Sequence, residues 1–316
     1  MYRVGRLFFV MDDNMRMFNT VAALAIPFIP HALVRKISRR YIAGESLDRA
    51  IERVQQLNAL GFSATLDVLG ETVSSLDEAE IMASEYIKVL DAIRVHRLNA
   101  EISIKPSALG LLVDEAACER LVKRILNAAS LDENFACIDM EDVSCTQKEI
   151  DLFARLESNH DNVGLALQAY LKRTYEDIGQ LPHVRSTVRI CKGIYMENPV
   201  HLVGLAREDR AAINPHFINH VSRCFKAGAF VGIATHDTAL VNEIVSLVDR
   251  EEVDRRKFEF QMLLGVCEPL RDRLLGMGFN VRIYVPYGKD WYGYSTRRIK
   301  ENPSIAGHVI KAMFDR

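Results

Sequence analysis

Val163-Gly-Leu-Ala-Leu-Gln-Ala169 is apolar at nearly every position. Such a run fits a parallel β-strand covered on both faces. Phe230-Val-Gly-Ile-Ala-Thr235 repeats the pattern. Working outward from these two adds β-rich runs at Ser63–Val68, Glu101–Lys105, Phe135–Glu141, Thr187–Lys192, Phe258–Leu263 and Val281–Val285. Helix-like stretches lie between them: Leu76–Leu98, Glu115–Ala129, Gln147–Glu157, Pro215–Ala227, Thr238–Val248 and Pro269–Met277. In the first, Glu78, Glu80 and Glu85 lie near the start and Arg94 and Arg97 near the end, an order that suits the helix dipole. Strand and helix alternating in this way predict an α/β protein, a (β/α)8 TIM-type barrel. An open doubly wound sheet is the alternative.

A chain of 316 residues suits two small domains or one large barrel. No linker or composition break divides it. The expectation is an N-terminal helical arm, residues 1–45, and a barrel over residues 46–316. With 49% hydrophobic residues there is material for a sizeable core. A net charge of −2 provides no general field for a polyanion, and no basic patch interleaved with aromatics suggests nucleic acid. The six cysteines are scattered without a CxxC pair, which reads as reduced thiols in a cytoplasmic protein.

Residues 17–34 are largely apolar and run into Arg35-Lys36-Ile37-Ser38-Arg39-Arg40. Pro27, Pro30, His31 and Asn19 make a poor membrane span. A helix packed on the body is the favoured reading. Peripheral contact with the inner membrane surface is the sharper one, because an apolar helix beside a basic cluster suits an anionic leaflet.

Chemistry in a barrel gathers at the carboxyl ends of the strands. Here those ends carry Asp67, Lys105, Asp139, Glu141, Gln168, Arg189, Lys192, Thr235, His236, Gln261 and Tyr284. Core packing alone does not account for such a set. The last helical stretch, Trp291-Tyr-Gly-Tyr-Ser-Thr-Arg-Arg-Ile-Lys-Glu-Asn-Pro303, places Tyr294, Arg297, Arg298 and Glu301 on one face. Two Arg forks can hold a carboxylate, and Glu301 one turn on can hold an ammonium. The same spacing also describes an exposed salt-bridge stripe. No GxGxxG, Walker loop or GxSxG elbow occurs. His216 and His220 have helical zinc spacing without an obvious third ligand, so a packed or solvated pair is favoured and no metal is expected.

Ten motifs in order then resemble one family. They are Ala43-Gly44-Glu45-Ser46, Asp67-Val-Leu-Gly-Glu71, Ser103-Ile-Lys-Pro-Ser107, Ile138-Asp-Met-Glu-Asp142, Leu167-Gln-Ala-Tyr170, Val188-Arg-Ile-Cys-Lys-Gly-Ile-Tyr195, Ala234-Thr-His-Asp237, Phe258-Glu-Phe-Gln261, Arg282-Ile-Tyr-Val-Pro286 and Arg297-Arg-Ile-Lys-Glu-Asn302. From about Tyr41 onward the chain resembles proline dehydrogenase of the compact monofunctional bacterial type.

The resemblance implies a distorted barrel holding FAD as its cofactor. It implies oxidation of L-proline to Δ1-pyrroline-5-carboxylate, the first step of proline catabolism, by hydride transfer from C5 to flavin N5 with a quinone as acceptor. It places Lys105, Tyr284, Arg297, Arg298 and Glu301 on substrate. It places Met140, Gln168, Arg189, Lys192, Gly193, Ile194, Thr235, His236 and Gln261 on the cofactor. Arg189 would sit close to the reactive part of the flavin, Asp139 would orient Lys105 or act in acid–base chemistry, and Glu71 would pair with an Arg of the last helix. Rival readings are a Lys-dependent aldolase, a different flavin barrel and a non-catalytic amino-acid binder.

Overall fold

The computed structural model describes residues 38–70, 72–181 and 186–295. In chain order the elements are α1 (Leu47–Ala59), β1 (Ser63–Val68), α2 (Leu76–His96), β2 (Ala100–Ile104), α3 (Glu115–Ser130), β3 (Ala136–Ile138), α4 (Val143–Glu157) and β4 (Val163–Gln168). They continue as α5 (Thr174–Gln180), β5 (Thr187–Cys191), α6 (Asn214–Lys226), β6 (Phe230–Ala234), α7 (Thr238–Arg250), β7 (Phe258–Leu263), α8 (Glu268–Gly276) and β8 (Val281–Tyr287). The strands form one closed parallel barrel in sequence order. Closure is made by β8 on β1, in register from Ser63↔Arg282 to Val68↔Tyr287.

Local chemistry sets where helices begin. The Ser75 hydroxyl accepts from the Glu78 N–H, and the Glu78 carboxylate accepts from the Ser74 N–H at 2.8 Å. Such capping is worth about 1 kcal/mol. Arg97 then ends α2 in a left-handed conformation, φ 51°. At the barrel mouth, Asp142 caps α4 and Asp237 caps α7. The Asp142 cap starts α4 four residues before the expected Gln147.

Two further differences from the sequence reading have physical causes. The third strand stops at Ile138 instead of reaching Glu141. Past that point the Glu141 N–H donates to the Glu149 carboxylate and its carbonyl accepts from Gln168, so its backbone serves side chains rather than a ladder. Helices α1 and α5 were not anticipated; α5 is only two turns long.

Strand residues alternate between the helix layer and the barrel axis. Leu66, Ile102, Ile104, Leu165, Leu167, Ile190 and Ile233 face the helices and are buried. Burial of each such side chain contributes roughly 1.5–3 kcal/mol. The axis side is different: Glu101, Arg189, Glu259, Gln261 and Arg282 line its lower part. The strands are thus enclosed on both faces, as expected, but several enclose polar groups. Ahead of α1 the chain tucks onto the end of β8, with Ala43 N–H donating to the Pro286 carbonyl at 2.9 Å. Ser38 and Ser295 hydroxyls meet at 2.6 Å, which ties this entry segment to the helical turn at residues 291–295. The apolar stretch 17–34 lies outside the described residues; among those described, no helix is long and apolar enough to cross a membrane.

Candidate active site

A cavity of about 380 Å³ opens at the carboxyl ends of the strands. Its size suits a small molecule or part of a cofactor. Side chains from the ends of β1, β2, β3 and β8, with Arg189 reaching across from β5, bring charged groups together. The Lys105 ammonium donates to Asp67 Oδ1 and lies 3.8 Å from Asp139 Oδ2. Asp139 is the hub: Oδ1 accepts from Ser103 Oγ and Arg189 Nη1, each at 2.6 Å, and Oδ2 accepts from the Tyr284 hydroxyl at 2.6 Å. The Arg189 guanidinium also lies 5.5 Å from the Tyr284 ring centre. Burial opposes the charge on Lys105, but the carboxylates of Asp67 and Asp139 outweigh it and hold the ammonium well above the usual lysine range. Burial, reinforced by the Asp139 charge, holds the Tyr284 phenol well above its ordinary range, so it remains a donor.

Lys105 and Arg189 are therefore balanced by Asp67 and Asp139 rather than forming an uncompensated cationic pocket. Lys105 has two carboxylate neighbours: Asp67 is the closer, and Asp139, expected beside it, lies 3.8 Å away and also accepts from Ser103, Arg189 and Tyr284.

The apolar part of the lining comprises Met140, Ala166, Gly193, Ile194, Ala234 and Met262, with little side chain at Ala166, Gly193 and Ala234. Gly193 has φ +95°, and a Cβ there would fall 2.3 Å from the Tyr170 ring. Only glycine fits that turn without displacing the ring. At the rim, Lys192 Nζ donates to Asp237 Oδ2 at 2.7 Å and to the Arg210 carbonyl at 3.2 Å. Arg210 in turn donates to the Gly193 carbonyl at 2.6 Å. His236 Nε2 accepts from the Leu263 N–H at 2.8 Å, which fixes the ring.

Behind β3, Glu141 joins three strand ends. Its carboxylate accepts from the Ser107 N–H and hydroxyl, and its carbonyl accepts from Gln168 Nε2 at 2.7 Å. Burial and the charge of Glu141 push the Glu149 carboxyl up to about 10, so it is protonated at neutral pH. His216 and His220 pack on Tyr175, with the His216 Nδ1 2.9 Å from the phenol oxygen.

Lys105, Asp139, Met140, Gln168, Arg189, Lys192, Gly193, Ile194, Thr235, His236, Gln261 and Tyr284 all line the one cavity. Arg297, Arg298 and Glu301, with Glu71, lie outside the described residues. Sequence reasoning had not given site roles to Asp67, Tyr195, Arg210 or Leu263, which also line it. Asp67 was visible as a polar strand end; Arg210 belongs to a long connection, where spacing carries no signal.

Residues 50–311 match the family described as proline dehydrogenase. Proline dehydrogenase 1 of Bacillus subtilis (strain 168) is 33% identical over 279 residues, covering 88% of this chain and 91% of that protein. Proline dehydrogenase of Deinococcus radiodurans is 34% identical over 283 residues, covering 88% and 90%. Among solved structures, proline utilization A (PutA) from Bdellovibrio bacteriovorus, inactivated by N-propargylglycine, superimposes with a TM-score of 0.76 at 21% identity. That match takes in 85% of this chain and 33% of the other, and at this identity it shows the shared barrel fold alone. The family match spans most of the sequence and both relatives are covered almost throughout, so the chain belongs to the proline dehydrogenase family.

Proposed function

We propose that this protein oxidises L-proline to Δ1-pyrroline-5-carboxylate with FAD as cofactor and a quinone as electron acceptor, the first step of proline catabolism. The observation that carries the reading is the Asp139 hub, which sets Lys105, Arg189 and Tyr284 around one cavity whose lining also includes Ala166, Gly193 and Ala234. Family membership supplies the substrate class.

The described residues fit a flavin dinucleotide. Ala166, Ala234, Gly193 and Met262 leave a smooth wall for a planar ring, and Lys192, Arg210 and His236 at the rim provide cations and donors for an anionic tail. When bound, FAD supplies acceptance of the C5 hydride at N5 and onward transfer of two electrons.

The chain's own groups do the rest. Arg189 is 6% exposed and held by Asp139, so its positive charge is fixed at the cavity wall and favours negative charge developing there. Tyr284 closes the side between Asp139 and Arg189. Its bulk supports proline rather than a hydroxylated ring. The amine must be neutral when the hydride leaves, and its remaining proton departs as the C=N bond forms. Asp139 accepts from Ser103, Arg189 and Tyr284. Asp67 accepts from Lys105 through Oδ1 and also lines the cavity, so it is a second carboxylate placed to receive that proton. The spacing of Arg297, Arg298 and Glu301 supports their gripping the proline carboxylate and amine. Peripheral contact of the N-terminal arm with the inner membrane surface would bring the site to a quinone dissolved there.

The visible spectrum of the purified protein, before and after anaerobic L-proline, tests the proposal. Yellow absorption that bleaches is the expected result. A colourless protein that FAD cannot reconstitute would overturn it.

A further inference from the structure

Below the mouth cavity the barrel axis holds a second cavity of about 190 Å³. Barrel interiors are usually filled there by branched apolar side chains. Here the lower layer carries Glu101, Glu259 and Arg282. Arg282 Nε donates to Glu259 Oε1 at 2.5 Å, and its Nη1 lies 3.4 Å from Glu101 Oε2. Glu259 Oε1 also accepts from Gln261 Nε2 at 2.7 Å. Gln261 Oε1 accepts from Arg189 Nε at 2.6 Å. A chain of hydrogen bonds thus runs from the floor to the guanidinium beneath the mouth cavity.

The donor inventory makes this chain directional. An ionised carboxylate only accepts, and a guanidinium only donates. The Gln261 amide between them has one workable orientation, with its nitrogen toward Glu259 and its oxygen toward Arg189. Turning it over would set donor against donor above and acceptor against acceptor below. Gly232 makes room for this arrangement, because a Cβ there would lie 2.6 Å from Gln261 Nε2.

We propose that Glu259 is a positioning residue for proline oxidation: from the barrel floor it fixes the Gln261 amide, and through it the Arg189 guanidinium at the active site. The inference rests on the reading of the mouth cavity given above. A purely structural ion pair that closes the floor is the competing account. The two differ in whether position 259 must supply an acceptor to Gln261 or only a charge to Arg282.

The test compares the FAD-loaded wild type with Glu259→Met, which removes the acceptor, and with Glu259→Gln, whose carbonyl oxygen can still accept from both Gln261 and Arg282. Stopped-flow flavin reduction by L-proline gives the saturating rate and KM. In Glu259→Met the rate should fall about 10–100-fold with KM within about threefold. Glu259→Gln should stay within about fivefold of wild type. In the apoprotein, the Arg189 Nε–H resonance should exchange slowly in wild type and Glu259→Gln, and quickly in Glu259→Met.

A Glu259→Met variant with an unchanged rate overturns the proposal, as does a well-folded Glu259→Gln variant as slow as Glu259→Met. If Glu259→Met does not fold, Gly232→Ala decides: it crowds the same amide without altering charge, and an unchanged saturating rate would also overturn the proposal. A wild type that proline does not reduce would refute the functional reading instead, and the Arg189 exchange measurement would still test the hydrogen-bond chain.

Discussion

The barrel interior has two unlike arcs. Along β8, β1, β2 and β3 the axis-facing positions include Arg282, Tyr284, Asp67, Glu101, Lys105 and Asp139. Along β4 and β6 they include Ala166, Gly232 and Ala234, with Ala166 and Gly232 flanking Arg189 of β5 in register. One arc spends its volume on charge and the other gives it up around a single guanidinium. The charged arc can hold and orient a polar solute, and the small arc leaves room for a flat apolar ring beside it. Charged groups this deep are tolerable because each has a partner; an unpaired one costs far more than the pair gains. The small arc has the opposite weakness: it fails when a methyl group is added, not when one is lost.

Breaking the charged arc should have the largest effect. Asp139→Asn keeps the shape but removes the negative charge facing Arg189 and Lys105. Activity with proline should fall about 10³-fold, and urea unfolding should show a loss of about 3 kcal/mol from the unbalanced buried guanidinium. Steady-state kinetics beside equilibrium unfolding would check both.

The small arc should break more gently and in a different currency. Gly193→Ala puts a methyl into the Tyr170 ring at a positive φ. The cost should be about 2–3 kcal/mol of local stability, with weaker retention of the proposed flavin and less change in the rate of the fraction that keeps it. A gel-filtered sample with wild-type flavin content would show that this wall is not close to the proposed cofactor.

The smallest effect should come from outside both arcs. Glu149 has its carboxyl pushed up to about 10 by burial and by Glu141. Between the ordinary carboxyl range and pH 10 the folded state therefore holds a proton that the unfolded chain has lost. Stability from this group is greatest at low pH and declines as pH rises across that window. Glu149→Gln, which resembles the protonated acid, should remove the decline and gain about 2 kcal/mol at pH 8. Parallel unfolding curves of the two proteins from pH 6 to 9 would contradict the assignment.

Much of the fold was legible in short apolar runs. Ser63–Val68 and Phe258–Leu263 form strands at the expected boundaries, because burial against the helix layer leaves a strong local pattern. The polar strand ends likewise marked the mouth. The floor was not legible in the same way. Glu101, Glu259 and Arg282 stand as isolated charges in three separate runs, and nothing in their spacing says that they meet. The surroundings of Asp139 were half visible: its place at a strand end could be read, but its hydrogen bonds to Arg189 and Tyr284, beside Lys105, depend on strands distant in sequence.

The sequence by itself therefore determined the (β/α)8 alternation and the polar strand ends that gather at the mouth, because periodicity and strand ends are local properties of a chain. Only the tertiary structure decided which charges pair, that the axis is polar to its floor, and that Gln261 is held from both sides. Those facts depend on barrel closure, which brings β8 beside β1 and sets Arg189 on β5 across the axis from Glu101 on β2.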